Sequence, residues 1–128
     1  MESRMKQKAL NEVSILKNIE EVHLYAGDEQ YYMIIGDDHL GNPLLVWLNE
    51  EEIHYQSLKQ WISKEEVSML ALNKVPKIVI KRITPGIIDN NMLIYEVLFK
   101  TEDGRFGYQY YNLENGQFIK MITLGKSV

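Results

Sequence analysis

Apolar positions at Met5, Ala9, Leu10, Val13 and Leu16 recur three or four residues apart among Lys6, Lys8, Asn11, Glu12 and Lys17, and predict an amphipathic helix from about Ser3 to Asn18. Alternation from Val22 to Tyr25 predicts a short strand ending before Gly27-Asp28. Tyr31 to Gly36 and Leu44 to Leu48 predict a hairpin around Asp37 to Asn42, with a further strand from Ile53 to Ser57. A second helix opens at Ser63-Lys64-Glu65-Glu66, a capping box in which the Ser63 hydroxyl accepts from the Glu66 amide while the Glu66 carboxylate reaches back. Ile62 and Val67 stand where a hydrophobic staple would, and Pro76 predicts an end near Asn73 because it disfavours helical geometry at Val75. Beyond it, Lys77 to Ile83 is β-branched, Thr84-Pro85-Gly86 and Asp89-Asn90-Asn91 are turn chemistry, and Leu93 to Thr101 predicts a strong strand.

The pattern is stated twice. Tyr32-Met33-Ile34-Ile35, Gly41 and Val46-Trp47-Leu48-Asn49 return as Tyr95-Glu96-Val97-Leu98, Gly104 and Gln109-Tyr110-Tyr111-Asn112, always at the 63-residue offset that separates Gly41 from Gly104. With a helix ahead of each copy, this implies an α+β chain of two tandem units, 1–60 and 61–128, each a helix packed on an antiparallel sheet.

Asp103-Gly104 and Asn115-Gly116 each suit a two-residue primed turn. That register pairs Phe99 with Tyr108, Val97 with Tyr110, Tyr110 with Met121 and Leu113 with Phe118. It puts Tyr95, Val97, Phe99, Phe106, Tyr108 and Tyr110 on one face and Glu96, Lys100 and Gln109 on the other. Carried back by the offset, it places Tyr32, Ile34, Leu45 and Trp47 under the first helix, and Tyr31, Met33, Ile35, Leu44, Val46 and Leu48 on the far face. An antiparallel sheet with one wet face should alternate, so an apolar far face implies a cover. The other unit or a connecting segment is one candidate for it, and a protein partner is the other. On the second reading those six residues are the candidate protein-binding site. Trp61, just before the capped helix, reads as a plug between the units or as an exposed binding anchor.

Composition narrows the class. At 128 residues, 45% hydrophobic and 25% charged, the chain is globular and long enough for one compact domain or two small fused lobes. The 14 basic and 18 acidic side chains give a net charge of −4, and no Lys/Arg cluster is long enough to follow a phosphate backbone, so nucleic acid is not an expected partner. The absence of cysteine excludes disulfides and thiolate chemistry but leaves the compartment open. No window approaches the roughly 18 consecutive apolar residues of a membrane helix, and Met1 to Leu10 is too polar for a signal peptide. The chain as given reads as soluble, either cytosolic or extracytoplasmic without its anchor.

Candidate chemistry adds little. His23, His39 and His54 fall in different elements with no carboxylate or cysteine at ligand spacing, and Asp37-Asp38-His39 is read as solvating a hairpin tip. Glu50-Glu51-Glu52 and Glu65-Glu66 lack the burial that would separate the pKa values of paired carboxylates. No nucleophile elbow and no glycine-rich phosphate loop occurs. No catalytic, cofactor-binding or metal-binding residue is expected, and the chain reads as a non-enzyme.

Ile62-Ser63-Lys64-Glu65-Glu66, Leu93-Ile94-Tyr95-Glu96-Val97 and Asn115-Gly116-Gln117-Phe118-Ile119 resemble a PepSY-type domain. With Tyr31-Tyr32-Met33-Ile34-Ile35-Gly36 and Leu44-Leu45-Val46-Trp47-Leu48, the chain from about Lys6 to Thr123 is similar to the YpmB/TseB-like family of Gram-positive bacteria. The resemblance implies a duplicated cystatin-like α+β fold on the outer face of the cell membrane, held by an N-terminal transmembrane helix that this chain lacks. It also implies a role in cell-wall elongation through a penicillin-binding transpeptidase, with no family catalytic residue to carry over. The expected function is a membrane-anchored, extracytoplasmic, non-enzymatic regulator or adaptor that binds such a transpeptidase through a sheet face or edge. The alternative is a PepSY-type protease-inhibitory or chaperone-like module.

Overall fold

The computed structural model describes residues 1–58, 60–89 and 91–126, and divides into two compact units, Met1–Gln60 and Trp61–Val128. The fold is α+β. The first unit carries α1 (Glu2–Glu12), β1 (Asn18–Ala26), β2 (Gln30–Asp37), β3 (Pro43–Leu48) and β4 (Ile53–Ser57); the second carries α2 (Lys64–Lys74), β5 (Val79–Ile88), β6 (Met92–Lys100), β7 (Arg105–Asn112) and β8 (Phe118–Lys126). Each sheet is an antiparallel meander, in the orders β1-β2-β3-β4 and β5-β6-β7-β8. Asn90 of the expected Asp89-Asn90-Asn91 turn and Lys59 of the connector lie outside the described residues.

α1 is shorter than its apolar stripe. It stops at Glu12, and Val13 is extended (φ −102°, ψ 93°) while its amide still donates to Ala9 O at 2.9 Å. Val13 and Leu16 nevertheless join Met5 and Ala9 in the core. The last two apolar positions therefore reach the core through a turn, closed by the Leu16 amide donating to Val13 O at 3.0 Å. Glu12 also sets a negative charge at the carbonyl end of the helix, where the backbone dipole disfavours it.

α2 is better specified. Ser63 Oγ accepts from the Glu66 amide at 3.1 Å, Glu65 and Glu66 sit at the positive end of the helix dipole, and Lys74 sits at the negative end. The expected turn at Thr84-Pro85-Gly86 is instead part of β5, where Pro85 stands opposite Tyr95. β5 is an edge strand, and there a residue without an amide hydrogen costs no ladder bond on its outer side.

The register differs by one residue from the sequence reading in both units. Ile34 pairs with Val46 and Tyr32 with Leu48 in the first, and Val97 with Gln109 and Phe99 with Gly107 in the second. The loops explain the shift. Asp38 N donates to Asn42 O (3.0 Å) and Gly41 N to Asp38 O (3.1 Å), while Thr101 N donates to Arg105 O (2.8 Å) and Gly104 N to Thr101 O (3.1 Å). Each loop thus holds three residues, closed by a glycine at φ +83° or +87°, rather than two. Because side chains alternate, one extra loop residue sends every side chain of β3 and β7 to the opposite face.

At the third turn, Tyr111 pairs with Phe118 and Tyr110 with Lys120, in place of Leu113 with Phe118 and Tyr110 with Met121. The loop runs from Asn112 to Gln117, closed by Asn112 N donating to Gln117 O (2.8 Å), and is longer than two residues. Asn112 Oδ1 accepts from the amides of Glu114 and Asn115. At the matching place in the first unit, Asn49 Oδ1 accepts from the amides of Glu51 and Glu52.

A bulge recurs as well. Glu20 is the extra residue opposite Gly36 and Ile35, and Lys81 is the extra residue opposite Phe99 and Leu98. On β2 and β6 these places are 63 residues apart, but Glu20 and Lys81 are only 61 apart. The two missing residues of offset appear at the hairpin end. There the rung equivalent to Ala26–Gln30 is Ile87–Leu93, and one further rung, Ile88–Met92, follows it.

Candidate interaction surface

The six candidate residues do not form one face. Leu44, Val46 and Leu48 pack with Ile34 against Met5, Ala9, Val13 and Leu16 beneath α1, while Tyr31, Met33 and Ile35 lie on the far side of β2. The one-residue loop difference brings Leu45 and Trp47 to the far side instead. All six are buried, Tyr31 at 9% exposure and the other five at 0–1%, so none offers its side chain to solvent. Leu45 and Trp47 are buried too. The Trp47 ring stacks on His54 with centroids 5.6 Å apart, and its Nε1 has no hydrogen-bond partner among the described residues.

Beside this face, the Tyr31 hydroxyl donates to Glu29 Oε2 at 2.6 Å and also meets Glu52 Oε1. Hydrogen bonding to Glu29, then to Glu52, and then burial raise the Tyr31 pKa well above its ordinary value. A phenol that holds its proton so firmly does not act as a base near neutrality, and here it ties the β1–β2 turn to the start of β4. His54 Nε2 lies 3.5 Å from Glu52 Oε1, and His23 Nε2 lies 2.8 Å from Glu21 Oε1. Among the described residues no group of three or more His, Cys, Asp or Glu side chains is placed to hold a metal ion. At the β2–β3 tip, Asp38 accepts from the Asn42 and Leu40 amides, and the Asn42 amide leads in holding its carboxyl below the usual range. The acidic tip is therefore a self-satisfied turn.

The surface that sequence reasoning missed is the outer edge of the second sheet. From Lys120 to Gly125 every residue of β8 is exposed, including Met121, Ile122 and Leu124 at 41–44%. The opposite edge of the same sheet is different, since Thr84 to Ile87 of β5 are buried. Met69 and Leu72 also face outward from α2. Phe118 to Lys126 has apolar residues on both faces, no acid and no proline, which marks a strand but not its place in the sheet. The two-sided pattern conceals the half-buried alternation that marks a strand covered on one side.

No helix among the described residues is long and apolar enough to cross a membrane. A family model described as "Cell wall elongation regulator TseB-like domain" matches residues 6–49. The "Probable cell wall elongation regulator TseB" of Bacillus subtilis (strain 168) is 24% identical over 116 residues, which cover 84% of this chain and 68% of that protein. Among solved structures, the YpmB protein from Bacillus subtilis shares the fold with a TM-score of 0.77 and 24% identity, over 95% of this chain and 96% of that one.

Proposed function

We propose that this chain, which is of the YpmB/TseB-like family, is a non-enzymatic regulator of cell-wall elongation. The observation that carries the reading is the match along 84% of the chain to a relative named as such a regulator. The side-chain chemistry is in keeping with it. The titratable groups that meet at Tyr31 are satisfied by one another, and what the second sheet turns outward is a strand edge of the kind proteins use to pair with other proteins.

In this reading each unit is a cystatin-like or PepSY-like module, and the protein stands outside the cell on an N-terminal membrane helix. It acts by holding a penicillin-binding transpeptidase. Recognition does the work, so regulation would follow from where the transpeptidase is kept and in which conformation, rather than from bond making by the regulator.

The test is retention of the enzyme. The immobilised chain is incubated with detergent-solubilised membranes of a bacterium that carries it, and bound proteins are reacted with a fluorescent penicillin, which marks transpeptidases covalently. A labelled transpeptidase on the chain, absent from resin carrying an unrelated domain, is the expected result. Loss of the label, or retention of a peptidase in its place, would remove the proposal.

A further inference from the structure

We propose that the outer edge of β8 is a strand-addition site, which takes an extended segment of another protein bearing alternating apolar and acidic side chains. The inference rests on the regulatory reading above and states how a protein partner would be held.

β8 ends its sheet, so its backbone pairs inward with β7 alone. Among the described residues, no backbone hydrogen bond outside that ladder involves Phe118 to Lys126. The regular stretch Lys120 to Thr123 offers about 14 Å of exposed edge at 3.4 Å per residue. Within it the rungs Lys120–Tyr110, Met121–Gln109, Ile122–Tyr108 and Thr123–Gly107 are regular, and the two irregularities of the β7–β8 ladder fall on either side.

The other edges of the two sheets are protected in different ways. β4 is only five residues long, β1 is bulged at Glu20, and β5 has a bulge at Lys81, a proline at Pro85 and a buried outer half. Short length, bulges and proline are the usual devices that stop a sheet edge from pairing. β8 is itself bulged at Ile119 and between Thr123 and Lys126, but the four rungs between those bulges are regular, no proline interrupts them, and Met121 and Ile122 are exposed there.

Charge selects the occupant. Between Gln117 and Lys126 the sequence has two lysines and no acid, and the exposed Lys120 holds its Nζ over the Tyr110 ring of β7, 5.2 Å from the centroid. The second unit has nine basic and seven acidic residues, whereas the first has five and eleven. Glu20-Glu21 lies on β1 and Glu50-Glu51-Glu52 runs into β4, so an acidic segment is repelled from both edges of the first sheet and attracted to β8. A second copy that paired β8 with β8 would bring Lys120 against Lys120 and lacks that complementarity.

Two capped heptapeptides, Thr-Val-Glu-Val-Glu-Val-Thr and its counterpart with lysine for glutamate, are titrated into the whole chain and followed by backbone amide NMR and hydrogen exchange. The acidic peptide should shift the amides of residues 118–126, slow their exchange by about tenfold, and bind about fivefold more tightly than the basic one. Lys120→Glu, an exposed change, should reverse the preference. Met121→Pro and Ile122→Pro, one of which removes an outward amide, should between them abolish binding if folded. Shifts centred on β1, β4 or α2, equal binding of the two peptides, or a dimer by light scattering that the acidic peptide leaves intact would each overturn the proposal. Peptide docking on β8 without retention of a penicillin-labelled transpeptidase removes the regulatory reading and keeps the edge. Retention undiminished by Lys120→Glu removes the edge and keeps the regulatory reading.

Discussion

Val46 and Gln109 occupy the same rung of the two sheets, 63 residues apart, and both are fully buried against the helix of their unit. Val46 completes an apolar cluster beneath α1. Gln109 donates from Nε2 to Ala71 O of α2 at 3.3 Å, and its Oε1 accepts from the Tyr111 hydroxyl. The backbone is shared down to the loop glycines and the paired asparagine turns, while the cores have diverged in kind. What the fold requires at this rung is therefore a filled volume with every polar atom satisfied, and either chemistry serves. The helices differ in the same direction. α2 has a side-chain cap and charges that suit its dipole, whereas α1 has no side-chain cap bond, ends on an acid and buries Met5 and Ala9.

The comparison can be broken most forcefully at its apolar half. Val46→Asp puts an unpaired carboxylate under α1 and should unfold the first unit, at a cost of about 4 kcal/mol or more in a denaturant titration. The same substitution at an exposed site, Ile122→Asp, should leave the midpoint nearly unchanged. Gln109→Leu removes the bond to Ala71 and strands the Tyr111 hydroxyl, and should cost about 2 kcal/mol. A neutral result would mean that the polar core of the second unit is incidental.

Smaller effects sharpen the likeness instead. Gly41→Ala and Gly104→Ala both place a side chain at positive φ with open space around the new carbon, so each should cost about 1 kcal/mol, and by equal amounts if the loops are equivalent. Ser63→Ala should cost about 1 kcal/mol through the loss of the α2 cap. The gentlest probe is alkaline titration. Unfolded tyrosine loses its proton near pH 10.0, whereas the folded value of Tyr31 is raised by its glutamates and that of Tyr111 is pushed up to about 12 by burial. The folded state therefore holds more protons than the unfolded state above pH 10.0, so stability is full below that pH and falls as pH rises. Tyr31→Phe should flatten part of this slope when midpoints are compared across that range.

Much of this was legible because it is local. The Ser63 cap and the strand from Ile53 to Ser57 depend on neighbours in sequence, the 63-residue repeat on comparing one half of the chain with the other, and each is found where the sequence places it. The register was not legible, because Asp103-Gly104 fits either a two-residue turn or the end of a three-residue loop, and only the closing bond from Thr101 to Arg105 distinguishes them. That single residue misassigned Leu44, Val46 and Leu48 and hid the likeness between Val46 and Gln109. Pro85 misled for a related reason, since proline marks a turn or an edge strand equally well until the order of strands is known. The β8 edge required that same order, because nothing within Phe118 to Lys126 says which strand will be outermost.

The extra rung Ile88–Met92 lengthens the second hairpin by two residues while leaving every inward residue facing inward. Parity, rather than length, is what this architecture conserves at that end. Residues can enter or leave the β1–β2 and β5–β6 turns in pairs without either core registering the change, whereas a single insertion must be absorbed at once by a bulge or turn a strand inside out. Natural or engineered length variants of these hairpins should therefore fall into two populations, tolerated even changes and disruptive odd ones, with hardly any dependence on the residues inserted.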